Sequence, residues 1–428
     1  MSDIKTVEIR PLSEPPDAVV SVPGSKSDTN RAMLIAALAD GPTQLTGALF
    51  SDDTRYMSAA LQSLGFDVDA RSDAGTIGVN GLNGRIPAGS ADLFVGNAGT
   101  AMRFLTALTA LGSGTYRIDG VERMRERPIQ PLLDGLSQLG VKAASERNNG
   151  CPPVQISSGG VPGGSVKMAG DQSSQYFSAL MLIAPCTSSG ITIDVEGELV
   201  SRLFIDMTAA VMHRFGAEVS HESYRRIHVP GGQIYKPMEY AVEPDASAAS
   251  YFFAAAAVTG GRVRVEGLGT NSAQGDLKFV DVLETMGCKV VREAWATEVT
   301  GPEQLTGIDV DMSPISDTAL TLAAIAPFAD SPVTMRGLAH TRAQETDRIS
   351  APSSELRRLG ICVDEFLDRM TIYPGTPIEG VVETYDDHRM AMGFALIGLR
   401  VPGIFIANPD CTAKTFPDYF ARLSHLRK

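Results

Sequence analysis

SDTNRAMLIAALA, residues 27–39, opens on small polar residues and then runs apolar on nearly every side. A helix with apolar residues all round is expected to be buried rather than laid on a surface. The same character returns five times: GTAMRFLTALTALG from Gly99, SSQYFSALMLIAP from Ser173, DASAASYFFAAAAV from Asp245, SDTALTLAAIAPFA from Ser316 and DDHRMAMGFALIGL from Asp386. The starts, at 27, 99, 173, 245, 316 and 386, stand 70–74 residues apart. A fixed period of this kind marks repeated structural units, so the chain reads as six α/β units.

A second helix is expected after each of the first five runs. Each ends in an apolar residue and Gly, followed by a β-like segment: LGFDV at Leu64, LGVKA at Leu139, FGAEV at Phe215, MGCKV at Met286 and LGICV at Leu359. Glycine just past a helix is the common C-terminal stop, because it takes the left-handed conformation without steric cost. TAKTFPDYFARLSHL is expected to supply the sixth second helix. IKTVEIRPL stands alone as a β-like segment before the first helix, and the simplest arrangement has it complete the last unit. The expected domains are a three-unit lobe over 24–241 and a second lobe from 1–23 and 242–428, with crossings near VPGS and VEPD.

A chain of 428 residues is too long for one ordinary core. Its composition, 43% hydrophobic and 20% charged, is that of a globular protein. A net charge of −13 argues against general nucleic-acid binding, which needs a basic face. It leaves room for a basic pocket and an anionic small substrate. Cys151, Cys186, Cys288, Cys362 and Cys411 are scattered, which suits a reducing cytoplasm and offers no zinc knuckle. MSDIKTVEIR lacks an apolar signal core, and the longest apolar run, near Ala248–Val258, is too short for a bilayer. A cytoplasmic protein without membrane association is expected.

The helix starts carry the chemistry. VPGSKSDTNRA places Lys26 ahead of an apolar run, but Ser25 rather than Gly precedes it, so the nucleotide-binding Walker spacing fails. An anion site survives, with Ser27 as a candidate helix cap. The other starts hold Asn97, Gly99 and Thr100; Ser173, Ser174 and Gln175; Asp245; Asp317; and Asp387, His388 and Arg389. Helix dipoles contribute about 0.3–1 kcal/mol each toward an anion, so Arg and Lys must supply most of the affinity. They lie in RMRERPIQ (Arg123–Gln130), QETDRIS (Gln344–Ser350), DDHRMAM and CTAKTFPDY around Lys414. Arginine suits phosphate and carboxylate because its planar fork binds two oxygens at once. Glu345 and Asp317 add carboxylates for acid/base work. DDHR lacks further histidine ligands nearby, so no metal is expected.

In this order, PGSKSDTNRA, LFVGNAGTAMR, RMRERPI, SSQYFSAL, DASAASYF, ETDR, YDDHRMAM and CTAKTFPDY closely resemble the 5-enolpyruvylshikimate-3-phosphate synthase family. The resemblance spans nearly the whole chain. It implies an α/β fold of two lobes, each of three βαβαββ units around buried parallel helices. It also implies transfer of the enolpyruvyl group of phosphoenolpyruvate to the 5-hydroxyl of shikimate 3-phosphate, without metal or organic cofactor. Carried over by position, Ser27, Arg31, Ser173, Ser174, Gln175, Ser201, Asp317, His340 and Gln344 would bind shikimate 3-phosphate. Asn97, Gly99, Arg127, Gln175, Arg348, Arg389 and Lys414 would bind phosphoenolpyruvate, and Lys26 would touch both. Lys26, Asp317, Glu345 and His388 would be the catalytic set. Asp317 would orient or deprotonate the hydroxyl, while Glu345 and Lys26 exchange protons at C3 and the bridging oxygen. A monomer is implied, with glyphosate as a candidate inhibitor.

Four positions depart from the family pattern. HTRAQETDR, residues 340–348, has Gln344 where members carry lysine and His340 where they carry asparagine. Phe204 replaces a tyrosine, and Phe104 replaces a proline in the helix after Gly99. Glutamine cannot supply the missing charge. A divergent transferase using another cyclic acceptor is therefore the alternative. The sister transferase acting on UDP-N-acetylglucosamine fits less well, since RMRERPI holds no cysteine. A non-catalytic anion-binding scaffold is disfavoured by the joint presence of Lys26, Asp317 and Glu345 with the arginines.

Overall fold

In a computed structural model that describes residues 5–427, the chain divides into two compact units, Gly24–Glu243 and Met1–Pro23 with Pro244–Lys428. Each is built on three helices from the apolar runs. In the first unit these are α1 (Lys26–Leu38), α2 (Gly99–Ala110) and α3 (Ser174–Ile183), which pack against one another. In the second they are α4 (Ala246–Thr259), α5 (Ala319–Ile325) and α6 (His388–Gly398), again in mutual contact. Every residue of α2 and α6 is buried, and in α4 only Ser247 and Thr259 are not. Fully burying a Leu or Phe side chain is worth about 1.5–3 kcal/mol, so these helices are the cores of their units.

Sheets wrap these cores, and five of them repeat one arrangement. In the first unit Glu239–Ala241 runs parallel to Pro42–Thr46, which pairs antiparallel with Thr76–Asn80, itself antiparallel to Asp67–Arg71. Ser90–Phe94 and Gly164–Ala169 open two further sheets of the same order. In the second unit Asp17–Val20 runs parallel to Arg262–Glu266, and Asp309–Asp311 to Val333–Arg336, each followed by an antiparallel hairpin. The sixth sheet has three strands: Gly380–Val382 is parallel to Ile404–Ala407, whose other edge pairs antiparallel with Thr6–Ile9.

The second helices of the first five repeats are Asp52–Ser63, Gln130–Gln138, Leu203–Arg214, Phe279–Thr285 and Ser350–Arg358. Each stops as expected: Gly65, Gly140, Gly216, Gly287 and Gly360 have φ of +90°, +86°, +86°, +100° and +82°. A side chain there would strain the backbone.

Three local expectations are corrected. TAKTFPDYFARLSHL is not one helix; a 3-10 turn (Pro409–Lys414) precedes a short helix, Tyr419–Ser424. Pro417 lies between them and has no N–H to continue a helix. SDTALTLAAIAPFA shrinks to α5, flanked by 3-10 turns Ser313–Thr318 and Ala326–Phe328. Pro327, whose ring clashes with the carbonyl four residues back, explains the downstream end. The cap of α1 is Ser25, not Ser27: its hydroxyl accepts from the Asp28 N–H at 3.3 Å, and helix begins at Lys26.

Candidate active site

In the first unit the expected anion-binding residues lie at the helix starts and their flanking turns. Lys26 is the first residue of α1, with Nζ 3.8 Å from Asp53 Oδ2 on the next helix. Arg31, one turn on, is 1% exposed. Its Nε donates to Thr208 Oγ1 at 2.8 Å, its Nη1 to the Ser27 carbonyl at 2.9 Å and its Nη2 to Ser178 Oγ at 3.4 Å. The guanidinium also lies 5.3 Å from the Phe104 ring centroid and 5.8 Å from that of Phe204. The two aromatic departures from the family pattern thus share one cation. Burial brings Arg31 down to about 10, against the opposing pull of Asp28 and Tyr240.

Ser173 caps α3 by accepting from the Gln175 N–H at 3.2 Å, and Ser174 is buried beside it. Gln175 Nε2 reaches Thr100 Oγ1 at 3.5 Å, which links the starts of α3 and α2. Gly99 is the first residue of α2. A Cβ on it would fall 2.7 Å from Arg127 Nη2 and 2.8 Å from Arg103 Nη1, so two guanidinium groups close over its backbone. Arg127 Nη1 donates to the carbonyl and side-chain oxygens of Asn97 at 3.2 and 3.1 Å. Ser201 is held at φ +50°, sparsely populated for a residue with a side chain. It precedes the helix bearing Phe204 and Thr208.

In the second unit the expected residues form one run of ion pairs. Lys414 Nζ lies 3.1 Å from Glu345 Oε1, and Glu345 Oε2 lies 3.0 Å from Arg348 Nη2. Arg348 Nη1 donates to Asp317 Oδ1 at 3.2 Å, and Asp317 Oδ2 accepts from Arg389 Nη2 at 2.7 Å. Burial opposes the charge on Arg348, but Asp387, Glu345 and Asp317 outweigh it and hold the group above the usual arginine range. His388 is buried with Nδ1 3.4 Å from Asp387 Oδ1. His340 Nε2 is 3.0 Å from Ser316 Oγ; burial lowers its pKa, against the opposing pull of Asp317, and so favours the neutral ring.

Sequence reasoning gave no role to Asp387, though it named it at a helix start, and passed over Asp276 and Asp119. Asp387, the cap of α6, accepts from Arg348 Nε at 2.8 Å and Nη2 at 3.2 Å, as well as from the Arg389 N–H. Its position as the cap of DDHR was the available signal. Asp276 is buried beside Ser247, whose hydroxyl it accepts; burial, with Asp317 nearby, pushes it up to about 7. Asp119 accepts from Arg125 Nε and Nη2 at 2.9 and 2.7 Å and so braces the turn that presents Arg127. Nothing local in the sequence distinguishes Asp119 from a surface carboxylate.

Repeated sheets on buried helices whose starts gather cations and carboxylates define an enolpyruvyl-transferase fold. The enolpyruvyl transferase NikO from Streptomyces tendae aligns over 99% of this chain and 98% of its own, with TM-score 0.77 and 19% identity. EPSP synthase from Acinetobacter baumannii aligns over 99% and 98%, with TM-score 0.82 and 24% identity. Residues 13–423 match the family described as EPSP synthase (3-phosphoshikimate 1-carboxyvinyltransferase), and the chain belongs to that family. The 3-phosphoshikimate 1-carboxyvinyltransferase of Trichormus variabilis is 53% identical over 97% of this chain and 98% of its own length. The chloroplastic 3-phosphoshikimate 1-carboxyvinyltransferase of Arabidopsis thaliana is 45% identical over 100% and 87%.

Proposed function

We infer that the chain transfers the enolpyruvyl group of phosphoenolpyruvate to the 5-hydroxyl of shikimate 3-phosphate and releases phosphate, the activity of a 3-phosphoshikimate 1-carboxyvinyltransferase. The observation that carries the mechanism is the run Lys414–Glu345–Arg348–Asp317–Arg389, in which cations and carboxylates alternate at 2.7–3.2 Å. Cations so placed suit the phosphate and carboxylate of phosphoenolpyruvate, and the carboxylates between them suit proton transfer at its carbons.

Arg348, Arg389, Lys414 and Arg127 hold phosphoenolpyruvate, with Asn97, Gly99 and Gln175 completing its site. Ser27, Arg31, Ser173, Ser174, Gln175 and Ser201 hold shikimate 3-phosphate, with Asp317, His340 and Gln344 on its ring, and Lys26 serves both substrates. Asp317 takes the proton of the 5-hydroxyl as its oxygen bonds to C2. Glu345, entering the cycle in its protonated form, gives that proton to C3, making a methyl group and leaving the carboxylate. In the second step Glu345 takes a proton back from that methyl group. The C2–O bond to phosphate breaks, the C2–C3 double bond reforms, and Lys26 protonates the departing oxygen. His388 supports the start of α6 beside Arg389. No cofactor enters these steps.

No helix among the described residues is long and apolar enough to cross a membrane. The reading includes a cytoplasmic monomer and competition by glyphosate for the phosphoenolpyruvate site around Gly99 and Arg127. The test is phosphate release from phosphoenolpyruvate, with and without shikimate 3-phosphate and glyphosate. Release that requires shikimate 3-phosphate is expected. Absence of release at saturating substrates sinks the proposal, and release only with another cyclic acceptor replaces it with the divergent reading that Gln344 suggests.

A further inference from the structure

Asp28 stands two residues beyond Lys26 and three before Arg31, in the first turn of α1. It is 2% exposed, and both its oxygens are engaged. Oδ1 accepts from the Tyr240 hydroxyl at 2.6 Å, and Oδ2 from the Glu243 N–H at 3.0 Å. Glu243 completes the circuit: its carbonyl accepts from the Ser25 N–H at 2.7 Å, and Ser25 caps α1 on the Asp28 N–H. The turn that carries Lys26, Ser27 and Arg31 is therefore stitched to the segment 240–243 at the far end of the same unit.

Four ionisable groups face this carboxylate. Tyr240 and Glu243 come from the returning segment, Arg31 from α1 itself, and Arg214 from the helix Leu203–Arg214. Arg214 lies 3.9 Å from the Tyr240 ring centroid. The Arg31 guanidinium donates to two hydroxyls and a carbonyl, and Asp28 is a carboxylate whose charge acts on it.

Burial pushes Asp28 up to about 6, against the lowering effect of Tyr240 and the Glu243 N–H. A carboxyl raised above the ordinary 3.8 contributes stability that is complete below that value and is lost as pH rises through about 6. At neutral pH the ionised group thus leaves the fold less stable than the protonated carboxyl would. A local choice that works against the fold points to a site where function selects it.

We propose that Asp28 is a positioning residue, whose ionised carboxylate fixes the first turn of α1 so that Lys26, Ser27 and Arg31 receive shikimate 3-phosphate. It acts through those residues and does not touch the substrate. The inference rests on the functional reading above, and it adds a group that the family resemblance does not assign.

Asp28→Asn tests it. The amide keeps the volume, its oxygen can accept from the Glu243 N–H, and its NH₂ can donate to the Tyr240 oxygen, so the variant folds. At about pH 7.5 the KM for shikimate 3-phosphate is expected to rise roughly tenfold, the size of one charge-assisted hydrogen bond, with kcat changed less than about twofold. The thermal midpoint is expected to stay level or rise. As pH falls below about 6 the native carboxylate protonates, and the two KM values are expected to converge. Equal KM values near neutral pH, a gap that does not narrow in acid, or a lowered midpoint alongside the weaker binding would each overturn the proposal. Calorimetric titration with shikimate 3-phosphate distinguishes the two readings. If the native protein binds it without turnover, the assigned reaction fails and the Asp28 comparison is still read from affinity. If it does not bind, both fall.

Discussion

The side-chain carbonyl of Gln344 accepts from Arg348 Nη1 at 2.6 Å. Where the family pattern has a lysine, this chain thus gives Arg348 a neutral acceptor instead of a second cation. The same guanidinium is already shared by Asp317, Glu345 and Asp387. Gln344→Lys would remove that acceptor and set two positive charges side by side, while adding a cation for an anionic substrate. The KM for shikimate 3-phosphate is expected to fall severalfold, within the factor of about ten that one charge-assisted contact allows. The thermal midpoint is expected to drop. Steady-state kinetics and a melting curve check both, and an unchanged or higher KM would show that position 344 does not face the substrate.

Gly99→Ala is expected to damage phosphoenolpyruvate binding selectively. A methyl group at Gly99 would fall 2.7 Å from Arg127 Nη2 and 2.8 Å from Arg103 Nη1, closer than nonbonded carbons and nitrogens approach. Arg103 is pinned by the Gly99 and Pro128 carbonyls at 3.1 and 3.0 Å, so Arg127 must move. Displacing a guanidinium proposed to hold phosphoenolpyruvate should raise the KM for that substrate about tenfold or more, at little change in the KM for shikimate 3-phosphate. Glyphosate inhibition should weaken in parallel. Equal increases in both KM values would mean that the helix itself had shifted.

The buried helices could be read from sequence because they are apolar on all faces and recur at one spacing, and their partners because each ends on a glycine. What could not be read depends on contacts between distant segments or on small backbone choices. Arg31 meets Thr208 across 177 residues and Ser178 across 147, and Asp28 meets Tyr240 across 212. No local pattern announces such pairs. Ser25 and Ser27 are equally good caps by residue type; the extended backbone at Ser25, φ −63° and ψ 124°, decides between them. The candidate ligands were legible as clusters, whereas the carboxylates that brace them, Asp119, Asp276 and Asp387, lay outside the assigned set.

Asp119 offers a pH test. Burial disfavours its ionised form, but Arg125, the Gly120 N–H and Arg117 outweigh it and bring the group down to about 2. A carboxyl depressed below 3.8 contributes stability that is complete above that value and is lost as pH falls toward about 2. The native protein should therefore lose stability across that acid window, and Asp119→Asn should reduce the loss. Because Asp119 anchors Arg125 in the turn Glu122–Glu126, just before Arg127, the variant should also raise the KM for phosphoenolpyruvate near neutral pH. Acid unfolding followed by circular dichroism gives the first result and kinetics the second. An unaltered acid profile would show that the ion pair contributes nothing to the fold.

Glu345 is held from both sides, with Oε1 3.1 Å from Lys414 Nζ and Oε2 3.0 Å from Arg348 Nη2. Glu345 is 9% exposed, so solvent has little access to shuttle a proton in its place. In the proposed mechanism Glu345 gives a proton to C3 and later takes one back, so it contributes to both steps, and neither cation beside it can accept a proton while charged. Glu345→Ala should therefore lower kcat by about 10²–10⁴, the range for removing a general acid–base group, with KM values changed far less. Glu345→Gln should be equally slow, because it keeps the hydrogen-bonding shape but cannot ionise. Binding of both substrates, followed calorimetrically, should persist in either variant. Turnover near the native rate in the glutamine variant would remove Glu345 from proton transfer and leave it as a spacer between Lys414 and Arg348.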